Sequence, residues 1–427
     1  MILFFSAMVF IRASGVLTCL NFLMVLYLLV LLTQMIGWPE RKQKSYTAIQ
    51  LAERLITLPV WVMQKLTVFG KGLIKDSPKR YLVAPVVRGV AIVVPILIVF
   101  LILFSSADLV FKHYVSSVHG FHISPSQMAQ LLLVLVVTAM LVGTYALVFL
   151  ESKPVDKQVP KFGKKLLGPV ESSIILGFVD MLFLLFVIIQ VKYLFGGTSN
   201  ITQGGFTYSE YARKGFFELI MVGVISLLLL LTLHLVVARN NRRQVVQFMV
   251  LSGVLIAEIM LIMLSAFKRL AMYEQAYGFT QLRLYSHLFI GWLALVFVLL
   301  LVYIVRQQKD KQFWFGIFMS AVALLAIVNV INPDALITNR NINRYNSSGK
   351  IDVIYLGTLS VDATPAISSL LNSKNPTLRS EVASSLYARK QAVDTKSVGW
   401  QSFNLSRQSS NKILQQNQAL LELNKPK

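Results

Sequence analysis

The sequence predicts an all-α fold, a polytopic transmembrane helical bundle of about eight spans, and three observations carry that prediction. Of 427 residues, 56% are hydrophobic and only 14% charged, with a mean hydropathy of +0.65; ordinary soluble domains are far more polar. Apolar runs recur at about the ~20 residues that a helix needs to cross a bilayer. The basic residues crowd into alternate connectors between those runs, which is the signature of membrane topology.

That last observation also decides what the formal charge of +22 means. A nucleic-acid binder gathers its basic residues on one face. Here four connectors, 39–83, 151–168, 238–244 and 305–312, hold 20 Lys and Arg, against 6 in the alternating set. The charge therefore orients the chain in a bilayer, and nucleic acid is excluded as a partner. The one cysteine, Cys19, rules out an intrachain disulfide framework and any cysteine-based zinc cluster.

Four regions follow in order. Residues 1–38 hold an apolar start, Met1–Phe10, too short to cross, and a first span at Ser14–Ile36. Because Arg12 follows the first apolar run where a signal peptide would have its charge before it, no cleavage is expected. Residues 39–83 form a basic cytoplasmic loop with an amphipathic piece at Ile49–Phe69, which Pro59, Arg54 and Lys65 assign to the membrane interface.

Residues 84–331 form the core, with seven spans at 84–104, 128–150, 170–193, 217–237, 245–267, 284–305 and 313–331. Pro95 removes a backbone hydrogen bond within its span and should kink it, and Arg88 can snorkel. Ala139 with Gly143, and Gly253 with Ala257, have the spacing of close helix contacts. Residues 332–427 turn polar, with amphipathic pieces at 362–371, 378–393 and 405–423: a helical or partly disordered tail. Its 12 basic residues do not count against an exoplasmic placement, since long segments translocate regardless of charge.

The helical period continues from 245 through Tyr277, roughly 50 Å at ~1.5 Å per residue, longer than a bilayer core of ~30 Å. The polar stretch Lys268–Tyr285 therefore stands in or above the headgroups. Gly278 reads as a left-handed helix terminator and Thr280 as the cap of the next helix, so the two helices turn back tightly. Tyr273 and Tyr277, four residues apart, share a face.

Ionisable residues inside spans are expensive and raise functional hypotheses. Asp180 and Glu258 lie deep in two spans; Glu171, Glu218, His234 and His287 lie nearer span ends. Each could relay protons or hold a cation, or could pair with a neighbouring helix or sit protonated by burial. His113, His119 and His122 follow Asp108 with no spacing that matches a helical zinc motif, so no metal and no cofactor is expected. The loop 204–218 mixes Tyr208 and Tyr211 with Glu210, Arg213 and Glu218; it could wall a cleft, or be an aromatic belt with interfacial ion pairs. No P-loop, HExxH, nucleophile elbow or dinucleotide fingerprint occurs.

Several of these runs resemble a known family. Tyr273-Glu-Gln-Ala-Tyr277-Gly278-Phe-Thr280-Gln-Leu-Arg283-Leu-Tyr285 is the most specific, with Tyr211-Ala-Arg213-Lys-Gly215-Phe-Phe217-Glu218, Ser105-Ser106-Ala107-Asp108, Asn332-Pro333-Asp334-Ala335 and the tail's Leu359-Ser360-Val-Asp362-Ala363-Thr-Pro365 beside it. Across 81–403 the chain is similar to a bacterial multi-spanning family catalogued as a domain of unknown function, number forty-one seventy-three. It departs at Leu109, where the family pattern has proline, and its amino-terminal region is short. The resemblance implies a bacterial cytoplasmic-membrane protein with an exported carboxyl tail and no agreed activity.

The functional expectation is an outward-facing docking or sensing platform, without catalysis of its own, that gathers Asp108, Glu210, Arg213, Glu218, Tyr273, Glu274, Tyr277, Arg283 and Asp334, with Glu258 beneath them. Its partners would be the bilayer and an envelope ligand or protein. Two alternatives stand beside it: an ion- or proton-coupled transporter using Glu258 and Asp180, and an exoplasmic enzyme acting on a lipid-linked substrate through Glu210, Glu218, Glu274 or Asp334.

Overall fold

A computed structural model describes residues 1–37, 80–108, 110–113, 167–194, 215–307, 310–394 and 404–424. Among these every named element is helical: α1 (Ile2–Ile11), α2 (Gly15–Gly37), α3 (Arg80–Ala107), α4 (Pro169–Leu194), α5 (Phe216–Val236), α6 (Arg242–Tyr277), α7 (Gln281–Arg306) and α8 (Asp310–Ile331), then α9 (Pro333–Ser348), α10 (Val353–Thr358), α11 (Thr364–Ser368), α12 (Pro376–Asp394), α13 (Leu405–Gln416) and α14 (Gln418–Leu423). Six of them, α3 to α8, are long and apolar enough to cross a membrane. They coincide with six of the seven expected core spans. The remaining one, 128–150, and the interfacial piece 49–69 lie outside the described residues, as does the loop 195–214. The residues of the expected first span form the apolar helix α2, which is not among those six.

The chain divides into two compact units, one of Thr47–Met272 with Leu293–Ile317, the other of Met1–Tyr46, Tyr273–Trp292 and Phe318–Lys427. In the first, α3 packs along α4 and α5. Five phenylalanines make its centre: Phe104 stacks on Phe186 with centroids 4.0 Å apart, and Phe183 meets Phe100 and Phe104 edge-on at 4.8 and 4.9 Å, geometries that suit the ring quadrupoles. Phe111 closes the cluster against Phe186. Gly89 lets α3 approach α4, for a Cβ there would press on Ile174. The α3 helix continues through Pro85 and Pro95. Arg88 does more than snorkel: its guanidinium reaches the buried Glu171 carboxylate at 3.4 Å. A short parallel bridge ties the start of α4 to the end of α5, Ala238 N–H donating to the Leu167 carbonyl at 2.8 Å.

In the second unit the tail is folded. Its helices surround one core of Ile337, Val353, Leu356, Ile367, Leu370, Leu378, Val382, Leu386, Leu414 and Leu421, which is what the amphipathic pieces at 362–371, 378–393 and 405–423 required. Asn332, Asp352 and Asn404 cap α9, α10 and α13 with their side-chain oxygens. Elsewhere in this unit α1 and α2 meet α8 through Phe5, Leu28 and Val322, and Asn21 and Asn329 exchange amide hydrogen bonds of 2.7 Å both ways.

Arg389 of α12 organises the tail. Its guanidinium is 9% exposed and donates to the carbonyls of Gly357, Leu359 and Ser360 and to the Thr364 hydroxyl, all at 2.8 to 3.0 Å. These carbonyls lie in the last turn of α10 and just after it, where helix ends leave acceptors over; the Ser360 carbonyl also accepts from Ala363 N–H. Burial pulls Arg389 down from its ordinary value and the Asp334 charge pushes it back up; the guanidinium stays charged in proteins. Truncating it strands several buried acceptors, so Arg389→Ala should lower the stability of this domain by about 3 kcal/mol. Thermal unfolding of the purified protein in detergent, followed by a probe in the tail, measures this, and an unchanged transition would remove Arg389 from that role.

Candidate functional site

The expected turn between two long helices is present. The 36-residue α6 ends at Tyr277, and Gly278 takes φ +87°, which only glycine adopts without strain. A Cβ there would also meet the Asn341 side chain. Asn341 holds the turn from α9: its Oδ1 accepts from Phe279 N–H at 2.9 Å and its Nδ2 donates to the Phe279 carbonyl at 2.8 Å. Arg344 donates to the Gln275 and Ala276 carbonyls at 2.9 and 2.7 Å, a cation serving the orphan acceptors at a helix end. Tyr273 and Tyr277 pack edge to face at 5.1 Å. The Arg283 guanidinium lies 4.0 Å over the Tyr273 ring and donates to the Gly278 carbonyl. Glu274 is buried against His287, 3.1 Å away.

In the same unit Asp334 is fully buried. Its carboxylate accepts from Gln281 Nε2 at 2.7 Å and from the Ser360 hydroxyl at 2.5 Å. Asp362 accepts from the amides of Ala13 and Ser14, each at 2.9 Å, holding the start of α2. Asp334 and Asp362 share Ser360, whose hydroxyl lies 3.2 Å from Asp362, so two carboxylates come close together inside the fold. Burial pushes the Tyr355 phenol up, and its oxygen accepts from Gln281 N–H at 2.8 Å. Tyr277, 51% exposed, is the most open of the residues singled out here.

This unit also carries a groove of about 1480 Å³ walled by α10, α12 and the chain between them. Asp352, Glu381, Arg389 and Arg407 place charge on it, and Ser360, Thr377, Ser380, Ser384 and Ser385 supply hydroxyls.

In the other unit Asp108 and Arg269 form a buried ion pair. They are 3% and 1% exposed and meet at 2.5 Å. Gln190 Nε2 donates to Asp108 Oδ2 at 2.9 Å, while its Oε1 accepts from Arg269 at 3.0 Å and from the Ser265 hydroxyl at 2.7 Å. Arg269 also donates to the Ala107 carbonyl, the last of α3, at 2.9 Å. Three helices, α3, α4 and α6, thus converge on one charge pair. Gly215, with φ +91°, sits so close to Ala107 that any side chain would collide with its carbonyl. Glu218 accepts from Ser106 at 3.4 Å. At the far end of α5 the Arg239 guanidinium reaches His234, lies 4.7 Å from the Phe248 ring, and is lowered from its ordinary value by burial.

Residues 1–370 match the family described as Domain of unknown function (DUF4153). The chain belongs to the DUF4153 family. The match begins at residue 1, well ahead of the expected 81, ends at 370 rather than 403, and takes in the turn, Asp334 and Leu359–Pro365 motifs. No curated protein and no solved structure matches the chain. Of the sequence-derived candidates, Asp108, Glu274 and Asp334 in this DUF4153 protein spend their oxygens on internal partners, while Glu210, Arg213, His119 and His122 lie outside the described residues. Asp180 and Glu258 are both buried, at 8% and 5%.

Sequence reasoning missed Gln190, Ser265, Asn341, Arg344 and Arg389 as structural keys. One signal was available for the first pair: Glu258, Ser265 and Arg269 are seven and four residues apart, so they share one stripe of α6.

A buried ion pair is costly to halve. Arg269→Ala and Asp108→Ala should each destabilise the protein by about 3–5 kcal/mol, because each strands the other charge. The double variant should fall well short of their sum, with a coupling of about 1–3 kcal/mol. A double-mutant cycle on detergent unfolding measures it, and additive losses would mean that the two side chains act independently.

Proposed function

We propose that this DUF4153 protein is a multi-pass platform in the bacterial cytoplasmic membrane whose folded carboxyl-terminal domain lies on the exoplasmic side and docks or senses an envelope ligand. The observation that carries this reading is the groove between α10 and α12, with hydroxyls and charges of both signs along an open wall. A site that hydrogen-bonds many polar groups suits a hydroxyl- or amide-rich chain, because each unmatched donor or acceptor penalises the wrong ligand. The charge asymmetry of the connectors supports the orientation. Of the four carboxylates considered for surface catalysis, Glu274 and Asp334 are buried against protein partners, which favours docking over chemistry at those two; Glu218 is partly buried and Glu210 lies outside the described residues.

Two measurements test the proposal. In a Cys19→Ser background, an impermeant thiol reagent added to intact cells should label Ser347→Cys and spare Asn240→Cys; the reverse pattern would invert the protein in the membrane. A photocrosslinking amino acid at Ser384 should capture a cellular component in living cells, whereas the same residue at Ser369, exposed and away from the groove, should not. Equal yields at the two positions would end the docking reading while leaving the orientation intact.

A further inference from the structure

Two carboxyl groups inside the unit of Thr47–Met272 and Leu293–Ile317 leave buried oxygens without a hydrogen bond. Neither oxygen of Asp180, nor Oε2 of Glu258, has a hydrogen-bond partner among the described residues. Both side chains are more than nine-tenths buried. They lie within electrostatic range of each other.

The helix register explains why they meet. Gln190 of α4 hydrogen-bonds Ser265 and Arg269 of α6. Asp180 precedes Gln190 by ~15 Å of helix, and Glu258 precedes Ser265 and Arg269 by ~10 and ~16 Å. The two acids therefore stand at one level, below the Asp108–Arg269 pair, and about midway along α4.

Among the described residues, the following ionisable groups of α3 to α6 have other partners or lie at other levels. On α3, Arg88 is held by Glu171, which lies on α4 some ~13 Å before Asp180. On α6, Arg269 is held by Asp108. On α5, Glu218 and His234 lie in the first and last turns. Two adjacent carboxylates without donors cannot both stay ionised in an apolar interior, since each charge would lack solvent and would repel the other.

We propose that Asp180 and Glu258 form an intramembrane proton-binding site, a carboxyl pair that takes up one proton and exchanges it with water. The proton comes from the aqueous phase, an O–H bond forms on a carboxyl oxygen, and the negative charge of the pair falls by one. A proton fits better than a divalent cation. Calcium needs six to eight oxygen ligands and magnesium an octahedron; among the described residues of this unit the unpartnered carboxyl oxygens come from two side chains, and only the Ser226 and Ser252 hydroxyls add to them. An acid pair of this kind is the element that a proton-coupled transporter or a proton sensor needs. The site is independent of the groove and of whatever the groove binds.

Infrared difference spectroscopy on the purified protein in lipid tests it directly. A step from acid to alkaline buffer should remove a protonated-carboxyl C=O stretch, and deuterium oxide should shift that band. The band should be lost in the double variant Asp180→Asn with Glu258→Gln, which keeps side-chain volume and burial. Glu258→Gln alone should move the pH at which the remaining Asp180 band titrates, and size-exclusion chromatography checks that each variant is folded. A band that survives in the double variant, or that ignores both pH and deuterium, overturns the proposal. A band that follows sodium at constant pH overturns it in favour of a metal cation.

Discussion

Charge carried into the interior of an apolar helical protein must find its partner there, and the Arg269–Asp108 pair is the contact on which the unit around α3 to α6 depends. Water cannot relieve a guanidinium that is 1% exposed, so the protein surrounds it with acceptors: one carboxylate, one amide oxygen and one helix-terminal carbonyl. Two acceptors come from the end of α3, Ala107 and Asp108, and the third from Gln190 of α4. Satisfying one cation thus fixes the end of α3, the last turns of α4 and the C-terminal half of α6 together. Hydrophobic packing positions helices only loosely, whereas a charge-assisted hydrogen bond tolerates little displacement.

The tail uses the same device on a smaller scale. Its helices are short and of modest propensity, and α10 and α11 are too short to persist alone. What holds them is a shared apolar core together with Arg389, which gathers the carbonyls that the short helices leave over. Asp362 does the complementary work with amides, anchoring the start of α2. A polar composition after Asn332 therefore did not mean absence of fold. The amphipathic spacing of Leu378, Val382 and Leu386 was the relevant signal, and it places a continuous apolar stripe on α12.

What could be read from the sequence follows from the range of the forces involved. Span positions were legible because hydropathy is summed over about twenty consecutive residues. The overlong α6 and the left-handed Gly278 were legible because both are local: a period that runs on, and a residue with no Cβ at the point where it stops. The polar pairings were not, since Asp108 and Arg269 are 161 residues apart, Arg88 meets a residue of the next described span, and nothing in the spacing of either names its partner. The same limit shaped the candidate site. Asp108, Glu274 and Asp334 look like surface ligands in a list of polar residues near span ends, and only the contacts reveal that their oxygens are already used.

That distinction between spent and unspent polar groups separates structure from function in this protein. Asp334 meets Gln281 and Ser360, and Asp108 meets Arg269 and Gln190; each has a full structural explanation, and selection for a stable fold accounts for it. Asp180 has no such account. An asparagine or a leucine would fill the same space on α4 without exposing a carboxyl to an apolar interior, and the fold gains nothing visible from the acid. A group that costs stability and returns none in packing or hydrogen bonding raises a functional hypothesis, and the proton-binding site proposed for Asp180 and Glu258 is the one that answers it.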